Sequence, residues 1–539
     1  MDAVFLPLAD ALGASVDQIK LISCLLISYP LGSVFIRIPN SQPNLKHLFN
    51  VFVTLVYFIP VLNLWDGFLQ LLADVLVTYY VAKNVKSANM PWIVFALVFG
   101  HLTANHIIRA IFQFSYETFE VTGPQMVLVM KLTTFAWNVY DGRRPAEELD
   151  KWQTEKRVVE YPSLVEFLGY AFYFPGILVG PYLEFANYRA LIDGSVFKII
   201  EKESEARRAA VTIPGRLVPR GRKRVAYRKM VTGLVYLGLF VFFGGQYNYS
   251  IAIQDWFPSK SILYRIAIFQ VCGVFERMKY YAIWTLTEGA AILTGLGFTG
   301  FGPGGSTRWD GAANVKVATI EFAPNMKVLL DSWNMKTNVW LRECVYKRVT
   351  PKGKKPGFRS SMLTFATSAF WHGISAGYYL TFLLGGFVQT VGRLCRSNIR
   401  PLFLPATYVE QRGAPPPPQT AIKRVYDFIG AILTTMILNY MAAPFMLLTW
   451  HDSILGWSRL GWYGHIAIGG TLAFFHLGGT KFLKKTQAAR AKKAGVAVNG
   501  KATTTPHGSG TSTPGEVPVL PPLDSMVKEV EKAAFARKL

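Results

Sequence analysis

Long apolar runs recur along the chain, and they constrain its fold more than any other feature of the sequence. The chain has 539 residues, of which 51% are hydrophobic and 14% aromatic, and its mean hydropathy is +0.26. A run of roughly 20 apolar residues can cross the hydrocarbon core of a membrane as a helix. Because lipid offers no partners to backbone polar groups, such spans are expected to be helical. The sequence therefore predicts an all-α polytopic membrane protein.

About eleven runs have the length and hydropathy of a transmembrane helix. They lie at about 19–38, 48–64, 66–83, 91–114, 124–139, 163–182, 229–246, 261–293 (one helix or two shorter ones), 362–391, 425–449 and 460–480.

The domain organisation follows from where these runs stop. Residues 1–483 carry all of them, together with a basic loop at 198–229 and a tryptophan-rich, less apolar segment at 301–358. We expect the latter segment to form an amphipathic helix partly embedded in the protein or the membrane interface. Residues 484–539 begin with basic pairs and become rich in Thr, Pro, Gly and Ser, which predicts a largely disordered tail with a short amphipathic helix at its end.

The net charge of +24 lies mainly in the segments between apolar runs and in the tail. Lys and Arg are typical of cytosolic loops of membrane proteins, and they also attract anionic headgroups or a phosphate-bearing cosubstrate. Membrane topology is the favoured explanation of this positive charge, and attraction of an anionic substrate is the second. No nucleic-acid partner is expected. The loop 198–229 and the tail are predicted to be cytosolic.

Three other sequence patterns do not indicate a functional site. The four cysteines are scattered, which favours packing roles over disulfides or a metal site. Gly295, Gly297 and Gly300 match a GxGxxG pattern, but they follow an apolar run and not a strand, so a tight turn is expected. His101 and His106 are not at the i, i+4 spacing of two ligands on one helix face, and we expect buried structural histidines.

One histidine, His372, lies in the middle of the apolar run 362–391. An ionisable side chain at membrane depth usually faces a protein interior or a water-filled path, and imidazole suits acid–base chemistry near neutral pH. Taken alone, such a histidine is more often structural. Asn334 changes this interpretation, because its amide can orient a hydroxyl or donate to a developing oxyanion.

Several ordered motifs surround these two residues. They comprise Trp333, Asn334, Trp340, Arg342 and Tyr346; then Phe370, Trp371, His372, Gly377 and Tyr378; and upstream Tyr173, Pro175, Gly180, Pro181, Arg277, Lys279, Trp284 and Glu288. In this combination the chain resembles the membrane-bound O-acyltransferase (MBOAT) family over about residues 20–480. It is most similar to the broad-specificity fungal lysophospholipid acyltransferases.

The resemblance implies an enzyme of the endoplasmic reticulum membrane whose helices enclose a catalytic chamber. Such an enzyme transfers an acyl chain from acyl-CoA, its cosubstrate, to an acceptor hydroxyl, with no other cofactor and no metal. By this similarity His372 is the catalytic histidine and Asn334 its partner, with Asn338 a weaker alternative on the same helix face. The other substrate-binding residues expected are Trp333, Asn338, Trp340, Arg342, Tyr346, Trp371, Tyr378, Lys279 and Glu288.

These residues have different expected tasks. Arg342, with Lys347 and Arg348, can contact the phosphates of CoA, although interface snorkelling explains such cations equally well. Glu288 is expected to hydrogen-bond to neighbouring aromatic residues or to Lys279. Cys344 has no activating neighbour in the sequence, which favours direct transfer over an acyl-enzyme.

The expected reaction is acylation of the sn-2 hydroxyl of lysophospholipids, including lysophosphatidylcholine and lysophosphatidylethanolamine, in phospholipid remodelling. Alternatives within the same family are acylation of a neutral lipid (a sterol or diacylglycerol) or of a secreted peptide. A different class, a transporter with a His372/Glu288 proton relay, would favour internal repeats, and the sequence shows none.

Overall fold

The chain folds almost entirely into helices. A computed structural model describes residues 2–114, 118–213, 216–302, 305–350, 358–408 and 416–495. Within these ranges there are twenty-two α-helices and two short antiparallel strand pairs. The final predicted helix, at 525–539, and most of the predicted tail lie outside the described residues.

Six helical segments are long and apolar enough to cross a membrane. They are α2 (Val16–Phe35), α3 (Pro43–Val56) with a π-helical extension to Val61, α5 (Met90–Ile111), α12 (Arg222–Phe243), α19 (Ala421–Leu447), and α21 (Tyr463–Phe474) continuing through a π-helical turn into α22 (Thr480–Lys493). These six coincide with predicted spans, and their length and composition fit a membrane protein. The α22 helix also extends beyond the predicted boundary at 483.

Three further predicted spans are long helices with a more polar character: α4 (Trp65–Asn84), α6 (Thr122–Gly142) and α13 (Ile262–Thr294). Helix α6 buries Gln125, Lys131 and Asn138, and α13 buries an ion-paired arginine. These polar groups explain why the two helices lie mainly inside the protein and not against lipid.

Two predicted spans are wrong as single helices. The run 163–182 forms α8 (Leu164–Ala171) and α9 (Phe174–Ile177), and the run 362–391 forms α17 (Phe358–His372) and α18 (Ala376–Asn398). Gly373 separates the latter pair, with φ of 135°. This conformation favours glycine, and it makes His372 the last residue of α17.

The remaining elements are short, and most of them connect the long helices. The helices are α1 (Asp2–Leu12), α7 (Lys151–Lys156), α10 (Phe185–Ile192), α11 (Glu205–Val211), α14 (Val317–Glu321), α15 (Met326–Leu330), α16 (Met335–Trp340) and α20 (Trp450–Arg459). The strands are β1 (Thr212–Ile213) with β2 (Arg216–Pro219), and β3 (Gly300–Phe301) with β4 (Thr307–Arg308).

These short elements change two predictions. The basic stretch 198–229 is not one loop, since it contains α11, the first strand pair and the start of α12. The predicted amphipathic helix of segment 301–358 is α16 with a π-helical continuation, Leu341–Tyr346, and five residues of that continuation are buried. It therefore lies in the protein interior and not in the membrane interface. The GxGxxG stretch is a turn, as predicted, with positive φ at all three glycines.

The glycine pair beside His372 has two separate roles. Gly373 ends α17, whereas Gly377 lets the start of α18 contact the end of α19. A β-carbon at Gly377 would lie 1.9 Å from the carbonyl oxygen of Pro444. The Gly377 amide also donates to the carbonyl of Leu448 at 2.7 Å. Gly377 therefore allows the close packing of α18 against α19.

We expect Gly377→Ala to lower the free energy of unfolding by about 1–3 kcal/mol, because the added methyl overpacks a backbone contact. Gly469→Ala is the control, since Gly469 lies in helix α21 with no atom within 4 Å of its added β-carbon. There the change should be neutral or stabilising by up to about 1 kcal/mol. Thermal unfolding in detergent measures both, and equal stability of the two variants would contradict the packing.

Candidate active site

His372 is surrounded by aromatic rings. Its ring centroid lies 4.6 Å from that of Trp371, 4.8 Å from Phe445, 5.4 Å from Phe382 and 5.7 Å from Tyr378. Among the residues that the structure describes, none forms a hydrogen bond with either ring nitrogen. The ring is thus positioned by packing, and it is partly exposed to a cavity.

This cavity has a volume of about 1190 Å³. Its wall is built from helices α5, α6, α13 and α16–α19, and most of its lining is apolar or aromatic. Five of the predicted site residues line it, namely Trp333, Asn334, Trp371, His372 and Tyr378. The volume exceeds the roughly 300–1,000 Å³ of typical small-molecule sites, so it suits a large, mostly apolar ligand.

Asn334 precedes helix α16 in a left-handed conformation, with φ of 44° and ψ of 50°, which asparagine tolerates better than most residues. Its Oδ1 accepts hydrogen bonds from Asn314 Nδ2 at 3.1 Å and from Thr337 Oγ1 at 2.8 Å. Within the described ranges its Nδ2 has no hydrogen-bond partner. The side chain therefore has a fixed acceptor end and an available donor end.

Asn338, the weaker alternative, is placed differently. Its Nδ2 donates to the carbonyls of Leu330 at 2.6 Å and Trp333 at 2.8 Å. Both amide hydrogens thus hold the backbone that leads into Asn334, and Asn338 is not part of the cavity wall. The structure thus separates two asparagines that the sequence only ranked.

Helix α6 anchors both motifs through tryptophan. The indole Nε1 of Trp340 donates to Thr133 Oγ1 at 2.9 Å, and that of Trp371 donates to the Met126 carbonyl at 3.0 Å. The Trp340 and Trp371 rings also lie 5.8 Å apart. Trp340 is fully buried behind the wall, and it supports the cavity without lining it.

A second aromatic group forms another part of the wall. Trp333 packs against Tyr280, Tyr281 and Trp284 of α13, at ring-centroid distances of 5.5, 5.9 and 5.2 Å. Trp333, Tyr280 and Trp284 line the cavity. This apolar surface suits an acyl chain.

The cations predicted to contact phosphate lie outside the cavity wall. Arg342 Nε donates to Glu343 at 2.8 Å, and Lys347 forms ion pairs with Glu343 and Asp150, both at 2.7 Å. Arg348 pairs with Asp141. Tyr346 ends the π-helical segment that contains Arg342, and it does not line the cavity either.

The partner of Glu288 is neither a neighbouring aromatic residue nor Lys279, the two alternatives expected from the sequence. Glu288 pairs with Lys229 of α12 at 2.8 Å, and Lys279 pairs with Glu276 at 3.1 Å. Neither Glu288 nor Lys279 lines the cavity, although Glu276 does. Residues 279 and 288 are nine positions apart on one helix, so their side chains are separated by more than two turns.

The sequence did not place His106 at this site. Its ring lines the cavity, and its Nε2 donates to the Trp371 carbonyl at 3.3 Å. The two residues are 265 positions apart, and no local pattern indicates such a contact. In the described part of the chain, no group of three or more His, Cys, Asp and Glu side chains is arranged to hold a metal ion.

Comparison with known proteins defines the class of membrane protein that builds this cavity. The profile of the membrane-bound O-acyltransferase family matches residues 108–443, which include Asn334 and His372. The chain belongs to this family of acyltransferases.

The similarity to individual members extends beyond the family profile. The chain is 40% identical over 476 residues to a lysophospholipid acyltransferase of Schizosaccharomyces pombe, covering 88% of this chain and 89% of the relative. It is 36% identical to a lysophospholipid acyltransferase of Saccharomyces cerevisiae, with coverage of 90% and 79%. It is 30% identical to the human membrane-bound glycerophospholipid O-acyltransferase 2, with coverage of 89% and 88%.

The two asparagines should respond differently to replacement by aspartate. Asn334→Asp keeps an oxygen that accepts from Asn314 and Thr337, so we expect little change in thermal stability. Asn338→Asp replaces the amide nitrogen that donates to two carbonyls with an oxygen that repels them. It should lower the free energy of unfolding by about 1–3 kcal/mol. Thermal unfolding in detergent compares the two. Greater destabilisation by Asn334→Asp would contradict the assigned hydrogen bonds.

Proposed function

We propose that the protein is an acyl-CoA-dependent lysophospholipid O-acyltransferase. It transfers a fatty acyl chain to the sn-2 hydroxyl of lysophospholipids, including lysophosphatidylcholine and lysophosphatidylethanolamine, in phospholipid remodelling. The observation that carries the proposal is that His372 and the available amide of Asn334 line one large cavity in a member of this family. The substrate class rests on the names of the fungal relatives.

In this mechanism His372 acts as a general base. The neutral imidazole accepts the proton of the sn-2 hydroxyl through a ring nitrogen as the hydroxyl oxygen attacks the thioester carbonyl. The tetrahedral intermediate then expels the CoA thiolate, which takes up the proton, and the ester product and free CoA leave. Such general-base catalysis typically contributes about 10²–10⁴ in rate. The surrounding aromatic rings leave the nitrogen lone pair available for this task.

Asn334 has the complementary role of a donor. Its Oδ1 already accepts two hydrogen bonds, so its Nδ2 can donate to the thioester oxygen as negative charge develops there. A preorganised donor of this type is worth about 10²–10³ in kcat. The amide of Asn338, by contrast, is committed to two carbonyls.

Direct transfer is favoured over a covalent acyl-enzyme. Cys344 is fully buried, does not line the cavity and hydrogen-bonds to Thr134. Burial raises the pKa of the Cys344 thiol to about 12. The thiolate is the nucleophilic form of cysteine, so this side chain is unsuited to attack a thioester.

The basic stretch 198–229 supports an anionic cosubstrate that arrives from the cytosolic side. It contacts the segment 305–350, in which Thr307 Oγ1 donates to the Arg220 carbonyl at 3.1 Å. In the same segment, Lys336 Nζ donates to the Gly311 carbonyl at 2.8 Å. Lys336 itself lines the cavity. The positive charge also supports an endoplasmic reticulum enzyme whose basic segments and tail face the cytosol.

We expect His372→Ala to lower acyl transfer by about 10²–10⁴. Purified protein is assayed with labelled acyl-CoA and a panel of lysophospholipids, a sterol and diacylglycerol, and phospholipase A2 digestion locates the label. The control is His451→Ala, because the His451 side chain is 83% exposed. Full activity of His372→Ala would contradict the mechanism. A wild type that acylates only the neutral lipids would contradict the substrate class.

Cys344 provides a separate test of direct transfer. We expect Cys344→Ala to retain acyl transfer within about threefold, because the mechanism uses no cysteine nucleophile. Single-turnover kinetics should show no burst of CoA release before the lysophospholipid is added. A complete loss of activity in a folded variant, together with such a burst in the wild type, would establish an acyl-enzyme instead.

A further inference from the structure

Asn314 lies outside the motifs that carry the family resemblance, between strand β4 and helix α14. It is nevertheless buried against the residues that open α16. Its backbone carbonyl accepts from the Met335 amide at 2.9 Å, its Oδ1 accepts from the Lys336 amide at 2.9 Å, and its Nδ2 donates to Asn334 Oδ1 at 3.1 Å. One residue thus contacts three consecutive positions, Asn334 to Lys336.

These contacts determine how the Asn314 amide is oriented. A backbone N–H can only donate, so the atom of Asn314 that faces the Lys336 amide has to be the oxygen. The nitrogen of the same side chain then faces Asn334. The first N–H groups of a helix have no partners within the helix, and here two of those of α16 are satisfied by Asn314.

The orientation of Asn314 in turn determines the orientation of Asn334. A donor at Asn314 Nδ2 requires an acceptor opposite it, which is Asn334 Oδ1. Thr337 Oγ1 adds a second donor to the same oxygen at 2.8 Å. An asparagine amide otherwise has two nearly equivalent orientations about χ2. With the oxygen held in this way, the Nδ2 donor of Asn334 is the end left for the cavity.

We propose that Asn314 is a positioning residue, which selects the amide orientation of Asn334 that presents its N–H to the thioester oxygen. This inference rests on the proposed function. Asn314 acts through Asn334 and, in this proposal, exchanges no proton with either substrate.

Asn314→Asp tests the proposal with almost no change in shape. The new carboxylate still accepts from the Lys336 amide, and a negative charge is favourable at a helix N-terminus, so the fold should be retained. The second carboxylate oxygen now repels Asn334 Oδ1. The Asn334 amide is expected to turn over, donating to that carboxylate and presenting its own oxygen to the cavity. We expect kcat to fall by about 10²-fold, as for loss of an oxyanion donor, with KM for both substrates within about twofold.

Two controls separate positioning from general damage. Asn325→Asp makes the same replacement at another helix start, where Asn325 Oδ1 accepts from the Val328 amide at 3.1 Å, and it should leave kcat unchanged. In an Asn334→Ala background, Asn314→Asp should change kcat by less than about twofold, because coupled residues are not additive. Thermal unfolding in detergent checks that each variant is folded.

The outcomes distinguish this proposal from the proposed function. If the wild type transfers acyl chains to lysophospholipids and folded Asn314→Asp retains full kcat, the positioning role is wrong and the function stands. An equal loss in the Asn334→Ala background would also overturn the positioning role. If the wild type acylates no lysophospholipid but acylates a sterol or diacylglycerol, the proposed substrate class is wrong. The loss in Asn314→Asp is then measured with that acceptor.

Discussion

Two indole N–H groups bonded to one helix hold the site together. Trp340 lies six residues after Asn334, and Trp371 lies directly before His372. The indole N–H groups of both donate to α6. The Trp340 bond is buried, so losing it would leave an unsatisfied polar group, which costs about 1–3 kcal/mol. Thr337 Oγ1 also contacts Met130 Sδ of α6 at 3.4 Å. Helix α6 therefore sets the relative positions of two motifs that belong to different helices.

Several charged groups inside the protein are paired within it. The guanidinium of Arg277 donates to Glu321 and Asn439, and Glu288 pairs with Lys229. Against this background, the ring nitrogens of His372 and the Nδ2 of Asn334 are available groups at the cavity within the described residues. Unused hydrogen-bonding capacity at a cavity is what a reaction on bound substrates requires, because substrates supply the missing partners.

The family assignment and the site geometry contribute different parts of the conclusion. Family membership and similar relatives identify acyl transfer and the class of acceptor. The cavity adds the arrangement: His372 is held by aromatic packing, Asn334 is held by Asn314 and Thr337, and an aromatic wall surrounds Trp333. The ion pairs of Arg342, Lys347 and Arg348 make these residues part of the scaffold.

The sequence by itself determined the class of fold, because hydropathy dictates membrane helices, and it singled out His372 and Asn334 through local motifs. It did not separate lipid-facing helices from core helices such as α6, or show the break at Gly373, since hydropathy reports composition and not surroundings. Only the tertiary structure decided which asparagine has an available amide, and that His106, Asn314 and Lys229 meet distant residues. Such contacts depend on helix packing between residues far apart in the chain, and no local sequence pattern encodes them.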